Sequence, residues 1–592
     1  MAFNKYYQDE LNYLKELGSL FGQQNPGLSD YLSEEGKDPD VQRLFEGFAF
    51  LTGRIRQKLD DELPEISHAL INLIWPNYLR PVPSITILQF DETPKSLTDK
   101  QTIKRGCEVQ SIVIEDTACQ FRSCYDVDVY PLSISDAKAE SYADRTELDL
   151  SFELTPGAAS DEIGFDYLRL YLHCDQNLAI AQTLYLWLFN YLTEVKLTVW
   201  FRSGENNKHT IDTHCIKPVG FGPEQALLPG DNSTFSGYRL IQEYFQFPEK
   251  FLFFDITGIA EHLAAPKIEK FELKFVFSHP FDDIIRVTKD YFRLYCTPIV
   301  NLYQTTAEPI TIDHHRQEYM LRPQHKNQQH IEIFSVDEVF GRTKAQSKPT
   351  IYASFESFEH ESDKSPSSTA AFFKVVQKPS ILSEGLDSHL SFVTMSEQDE
   401  ISLSETVSVN LTCSNRLLAG GLRVGEITED NGNSPDFVQF SNITRVTRAL
   451  PPPLERGLHW RLISNMALNY HSLSSVDAFK VLIKDYDFKA LTDRQAQRAN
   501  KKMADGIDNI SVESVDRIIK GIPVRGLKTT ISMYESHFGS KGIQGEANMY
   551  QFCCILNAYF KQYARLNSFH SLEVKGLDSG EVFHWEAKRW QI

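Results

Sequence analysis

The chain has 592 residues, about twice what one hydrophobic core can serve, because cores stop growing at roughly 250–300 residues. Its 42% hydrophobic and 24% charged composition supplies enough apolar surface for folding throughout and excludes pervasive disorder. A net charge of −20 opposes the phosphate attraction behind nucleic-acid affinity, and nine scattered cysteines without paired spacing point to reduced thiols in a cytoplasm.

The first residues are polar and helical in pattern, with Leu14, Leu17 and Phe21 on one stripe, and lack the apolar core of a signal peptide. A second stripe through Val41, Leu44, Phe45, Phe48, Ile55, Leu59 and Leu63 predicts a longer helix, with Asp38 as cap and Pro39 presetting φ at its first position. Pro64 ends that helix or begins a third, through Ile66, Leu70 and Leu73, which stops at Trp75 and Pro76. From Ser84 the period changes to two. Strands are predicted at Cys107 to Ile114, Cys119 to Val129, Leu168 to Leu172, Val195 to Phe201, Phe251 to Ile256 and Phe271 to Phe277. Helices interrupt them at Leu178 to Leu192 and near Tyr238 to Phe245. The longest apolar stretch, Leu184 to Leu192, falls short of the roughly 20 residues that span a bilayer. A second β-rich region follows, interrupted by a Ser- and charge-rich stretch near 356–371 that reads as a mobile loop. After Pro451, Pro452 and Pro453 the pattern is mixed, and its clearest element is a helix from Asn548 to Arg565 with Phe552, Ile555, Leu556, Tyr559, Phe560 and Tyr563 on one broad face.

The reading is therefore a multidomain α+β protein: an N-terminal helical region (1–83), a β-rich α+β domain (84–296), a second β-rich domain (297–450) and a mixed α/β C-terminal domain (451–592). No repeat of solenoid or propeller period interrupts this plan.

Signatures of chemistry do not emerge. The Gly36–Lys37 pair is followed by Asp38, not by the hydroxyl a Walker loop needs, and Gly539, Gly542 and Gly545 read as a turn before the last helix. The GLDSG segment from Gly576 misplaces its serine for a nucleophile elbow. HExxH and CxxC are absent. His209, Asp212 and His214, with His314 and His315 behind them, are the best metal-ligand candidates and read more simply as solvated loop residues. Cys553 and Cys554 read as small hydrophobes on a helix. The known constellations of catalytic, cofactor-binding and metal-ligating residues are thus absent, which leaves open an enzyme whose catalytic groups lie far apart in sequence.

Longer motifs carry more. The segment VQRLFEGFAFLTGRIRQKLDDELPEISHALINLIWPNYLRPVPS from Val41 to Ser84 closely resembles the N-terminal signature of the TssF family of type VI secretion baseplate proteins, also called VasA or ImpG. YYQDELNYLKELGSLFGQQNP at Tyr6, FRSCYDVDVYPL at Phe121, LRLYLHCDQN at Leu168, GYRLIQEYFQFPEKFLFFDITG at Gly237, CSNRLLAGG at Cys413, WRLISNMALNY at Trp460 and YARLNSFHSLEV at Tyr563 follow in the family's order. The resemblance implies an architecture like the wedge proteins of contractile phage tails, with no enzymatic activity. It also implies two copies joined to one TssG, with TssK, TssE and the spike hub protein VgrG completing a baseplate on the cytoplasmic face of the inner membrane. Neither nucleic-acid binding nor direct membrane insertion is expected.

On that basis the N-terminal stripe is the candidate partner interface, carried by Leu44, Phe45, Phe48, Ile55 and Leu59. The plainer reading is that this stripe and the one from Phe552 to Tyr563 pack only within the subunit. The 356–371 stretch and the Trp75 to Pro83 joint are the candidate hinges for a firing rearrangement. Two rivals stand beside this reading: a contractile phage-tail wedge protein, and a carbohydrate-active or lectin-like protein suggested by β-rich regions bearing Trp and Tyr.

Overall fold

The computed structural model describes residues 7, 10–11, 13–14, 39–60, 64–92, 97–158, 163–173, 177–230, 236–280, 286–312, 316–342, 349–355, 371–379, 386–394, 405–435, 437–453, 462, 475–519, 521–539, 542–562 and 568–589. They fall into two compact units: Met1–Ile71 with Leu454–Ile463, and Asn72–Pro453 with Ser464–Ile592.

The described residues of the first unit are helical. Helix α1 (Pro39–Asp60) begins on a proline whose fixed φ suits a first helical position, with Asp40 in its first turn paired i,i+3 to Arg43 at 3.7 Å. The expected cap, Asp38, lies outside the described residues. A second proline opens α2 (Pro64–Ile74), whose last turn enters the second unit.

The second unit is dominated by antiparallel sheet. The expected hinge at Trp75–Pro83 is a buried joint: Trp75 and Tyr78 are fully covered, and Tyr78 meets the rings of Phe488 and Tyr486 edge-on at 5.1 and 6.3 Å. Val82 exchanges two backbone hydrogen bonds with Leu450, at 2.8 and 2.9 Å. The other hinge candidate, the Ser-rich stretch, lies outside the described residues apart from Ala371.

Beyond the joint, Ile85–Glu92 pairs with Cys296–Val300 on one side and Val438–Asn442 on the other. Its sheet continues through Thr117–Ser123 and Glu108–Ile114 to Glu429–Asp430. This sheet thus takes strands from both expected β-rich regions. A five-stranded sheet runs in the order Asn206–Ile211, Leu192–Phe201, Ile268–Phe277, Thr146–Leu154, Leu132–Ser141. Strict alternation of buried positions along Thr146–Leu154 gives it one covered face, where Phe152 stacks on Phe271 at 4.9 Å. A smaller sheet centres on Phe253–Thr257 and Tyr167–Leu172, and a larger one holds the strands from Tyr303 to Ser414 around a core including Val339, Leu390, Val409 and Leu411.

Helix α3 (Leu178–Leu186) runs as expected, but its continuation is a wider π-helical turn at Trp187–Tyr191, and the strand begins at Leu192. Helix α4 (Ser236–Gln246) carries a buried ionic cluster. Glu243 accepts the backbone N–H groups of Leu227 and Leu228 at 2.8 and 3.1 Å and is salt-bridged to the Lys250 ammonium, with Arg239 one turn back at 3.9 Å. Lys250 is fully buried, and loss of solvation pulls its pKa below the usual lysine value.

Helices α5 to α7 (Val476–Asp485, Phe488–Thr492 and Arg494–Asp505) lead into a long hairpin, Ile507–Ile519 and Ile522–Met533. Helix α8 (Ile543–Lys561) then crosses to Phe569–Gly576, which joins the hairpin in parallel, and Val582–Arg589 closes the sheet. The parallel strand meets the hairpin only from Leu527 onward, so Val515–Gly526 forms a two-stranded ribbon beyond it. At its base, a Cβ on Gly526 would stand 2.6 Å from the Phe569 ring, which explains glycine there.

Helix α8 is the core of this region. Gln182 on α3 donates to Gln551 at 2.8 Å, Tyr244 on α4 donates to Asn548 at 3.1 Å, Phe560 stacks with Phe479 at 5.9 Å and Tyr550 stacks on Trp585 at 5.3 Å. Phe552, Ile555, Leu556, Tyr559 and Phe560 are all essentially without solvent contact. Truncating one of them to alanine costs about 2–5 kcal/mol.

Candidate partner interface

Helix α1 is the opposite case. A residue advances about 100° around an α-helix, so positions 44, 48 and 51 fall within an arc of about 60°. Leu44, Phe48 and Leu51 on that arc are 69%, 56% and 61% exposed. The adjoining arc turns inward: Ala49 is fully buried, and Phe45 and Thr52 are half-buried. Thr52 donates its hydroxyl to the Phe48 carbonyl at 2.7 Å, satisfying its polar group locally and leaving the stripe beside it apolar.

Of the expected interface residues, Leu44 and Phe48 stand in solvent and Phe45 is half-covered, while the side chains of Ile55 and Leu59 lie outside the described set. Leu51, which the sequence reading passed over, completes the stripe, and its seven-residue spacing from Leu44 was the available signal. Phe50 is also 46% exposed, and α2 carries Leu70, 36% exposed, within the same unit. Full burial of a leucine or phenylalanine is worth about 1.5–3 kcal/mol. The unburied parts of Leu44, Phe48 and Leu51 therefore represent roughly 3–5 kcal/mol that burial against another surface would recover.

The residues considered for chemistry do different work. Asp212 accepts the backbone N–H of His214 at 2.9 Å and caps a short turn, and the His209 ring stacks on His262 at 4.1 Å. His314 and His315 lie outside the described residues. Among the described residues, no three His, Cys, Asp or Glu side chains are grouped to hold a metal ion. The eight described cysteines are free thiols. Burial pushes Cys554 up to about 12 and Cys553 well above the usual thiol value, so both stay protonated and unreactive at neutral pH. A cleft of about 210 Å³ between Phe90, Leu132 and Arg293 holds Asp91, whose carboxyl is raised by burial and opposed by Arg293.

Comparison with known proteins gives one consistent result. The family model described as "Type VI secretion system, TssF" matches residues 1–591. The type VI secretion system component TssF1 of Pseudomonas aeruginosa is 27% identical over 99% of this chain and 98% of its own length. A chain in the cryo-electron microscopy structure of the TssK-TssF-TssG baseplate subcomplex superposes with a TM-score of 0.77 at 28% identity, covering 93% of this chain and 99% of that one. A chain of a second type VI baseplate complex matches in fold over the full length of both, at a TM-score of 0.62 and 24% identity.

Proposed function

Because this chain belongs to the TssF family of type VI secretion systems, we propose that it is a wedge subunit of the baseplate, holding other proteins in a ring and passing on the rearrangement that releases sheath contraction. The observation that carries this reading is the apolar stripe Leu44–Phe48–Leu51, left in solvent on a helix whose neighbouring face is buried. Such a stripe suits helix-against-helix docking. Membership of this family displaces both the phage-tail and the carbohydrate-binding alternatives.

The partners follow from the related baseplate subcomplex, in which TssK and TssG accompany TssF. In our reading two copies of this chain join one TssG through the α1 stripe, TssK links the wedge to the membrane complex, and TssE and VgrG meet it at the sheath and the central spike. The chain performs no catalysis. No helix among the described residues is long and apolar enough to cross a membrane, which fits a cytoplasmic subunit brought to the inner membrane by its assembly.

Co-expression with TssG and TssK, followed by mass measurement of the purified complex, tests this. Two copies of the chain per TssG are expected. Recovery of the chain alone beside an intact TssG–TssK complex would overturn the proposal.

A further inference from the structure

Helix α7 (Arg494–Asp505) carries charge against the balance of the chain, whose acids outnumber its Lys and Arg by 80 to 60. From Arg494 to Ala504 it holds four cations, Arg494, Arg498, Lys501 and Lys502, and no acid. At about 100° per residue the four fall within an arc of about 100°, and all are exposed. They spread over about 12 Å of helix. The opposite arc fixes the helix in place: Asn500, Met503 and Ala504 are buried, and Asn500 donates to the Asp487 carboxylate at 2.9 Å. Asp493 caps the start by accepting the Gln495 N–H at 2.8 Å.

These cations do not serve the helix that carries them. Arg494 stands at the first helical position, where the dipole disfavours positive charge. Arg494 with Arg498, and Arg498 with Lys502, are like-charge pairs four residues apart, which oppose helix formation. None of the four cations is held in an ion pair among the described residues. Lys502 gives one N–H to the Gly539 carbonyl at 3.3 Å. The elements packed against α7 hold acids that are occupied elsewhere: Asp487 accepts from Asn500 and the Ala490 N–H, and Glu535 accepts the N–H groups of Asp578 and Ser579. The exposed acids next in the chain, Asp505 and Asp508, follow the stripe at its C-terminal end and leave Arg494 and Arg498 facing solvent.

We propose that this stripe is the docking face for an acidic segment of a neighbouring wedge subunit, presenting Asp or Glu at matching four-residue intervals. A flat anionic membrane or a nucleic-acid duplex extends far beyond 12 Å and would also meet the carboxylates behind the net charge of −20, whereas a short acidic segment covers the stripe alone. An exposed ion pair adds about fivefold to affinity at best, so the contact steers and registers a partner that other surfaces hold. It therefore rests on the baseplate reading proposed above.

The test uses the complex purified after co-expression with TssG and TssK, treated with a carbodiimide, which joins a lysine amine to a carboxylate only where the two touch. Mass spectrometry is expected to find Lys501 or Lys502 joined to an Asp or Glu of TssG or TssK, in a yield that falls as salt is raised. Arg494→Glu with Arg498→Glu keeps both lysines and places acids where the helix dipole favours them, so the fold is retained. This variant should lower the crosslink yield roughly tenfold. Products confined to this chain's own carboxylates, or a yield indifferent to salt and to charge reversal, refute the docking face and leave the baseplate reading standing. Binding of the purified chain to phosphatidylglycerol vesicles or duplex DNA that the same variant abolishes would also refute it, assigning the stripe to an extended polyanion. A chain recovered alone beside an intact TssG–TssK complex refutes the baseplate reading and the contact together.

Discussion

Replacing Leu44, Phe48 and Leu51 together with glutamine separates docking from folding. Glutamine keeps helix propensity close to that of leucine, so α1 should still form. The residues are 69%, 56% and 61% exposed, so the folded chain draws under half of each side chain's burial energy from its own contacts. The portion left in water is worth roughly 3–5 kcal/mol on burial against a partner. Every 1.4 kcal/mol is tenfold in affinity, so the triple variant should bind TssG about two to three orders of magnitude more weakly. Titration calorimetry or quantitative co-purification measures the loss, and circular dichroism with a melting curve measured in parallel establishes that the helical first unit, which carries α1, is intact. A variant that melts like the parent and binds TssG with unchanged affinity would refute the assignment of this stripe as an interface.

Lys250→Met should leave the Glu243 carboxylate without its ammonium partner in a site closed to water, at a cost of about 3–5 kcal/mol in urea unfolding. Adding Glu243→Gln should recover part of that, whereas an additive double variant would mean the two residues are not coupled. His570, buried against Phe560 and hydrogen-bonded to the Thr529 hydroxyl at 2.9 Å, is held down to about 3 by burial. Its folded pKa lies below the unfolded value of 6.5, so the stability it contributes is complete above pH 6.5 and is lost as pH falls toward 3. That loss is about 1.4 kcal/mol per pH unit in between. His570→Gln should flatten the decline in urea midpoint between pH 7.5 and 5, and an unchanged slope would count against it. Gly526→Ala should destabilise the C-terminal sheet by about 1–3 kcal/mol, because its Cβ would meet the Phe569 ring. Hydrogen exchange along Leu527–Met533 is the measure, and unaltered protection there would reject the clash.

Local features were open to reading from the residues. Pro39 and Pro64 punctuate α1 and α2 because a ring that fixes φ and lacks an N–H belongs at a helix start. The strand periods at Tyr167–Leu172 and Ile268–Phe277 follow from side chains pointing alternately to opposite faces. The candidate interface was half legible: spacing located the stripe on α1, and only side-chain exposure distinguished Leu44 and Phe48 from the half-covered Phe45.

The sequence by itself determined the helical start, the β-rich middle and the long colinear motifs of the family, all of which reside in neighbouring residues and the periods between them. Tertiary structure alone decided which strands meet, such as Ile85–Glu92 with Val438–Asn442, since a period of two announces a strand without naming its partner. It also separated two stripes that look alike in sequence. The one on α8 is enclosed by α3, α4 and the C-terminal sheet, while the one on α1 faces water, because burial depends on what the rest of the chain places against a helix and periodicity records only that a helix has an apolar side.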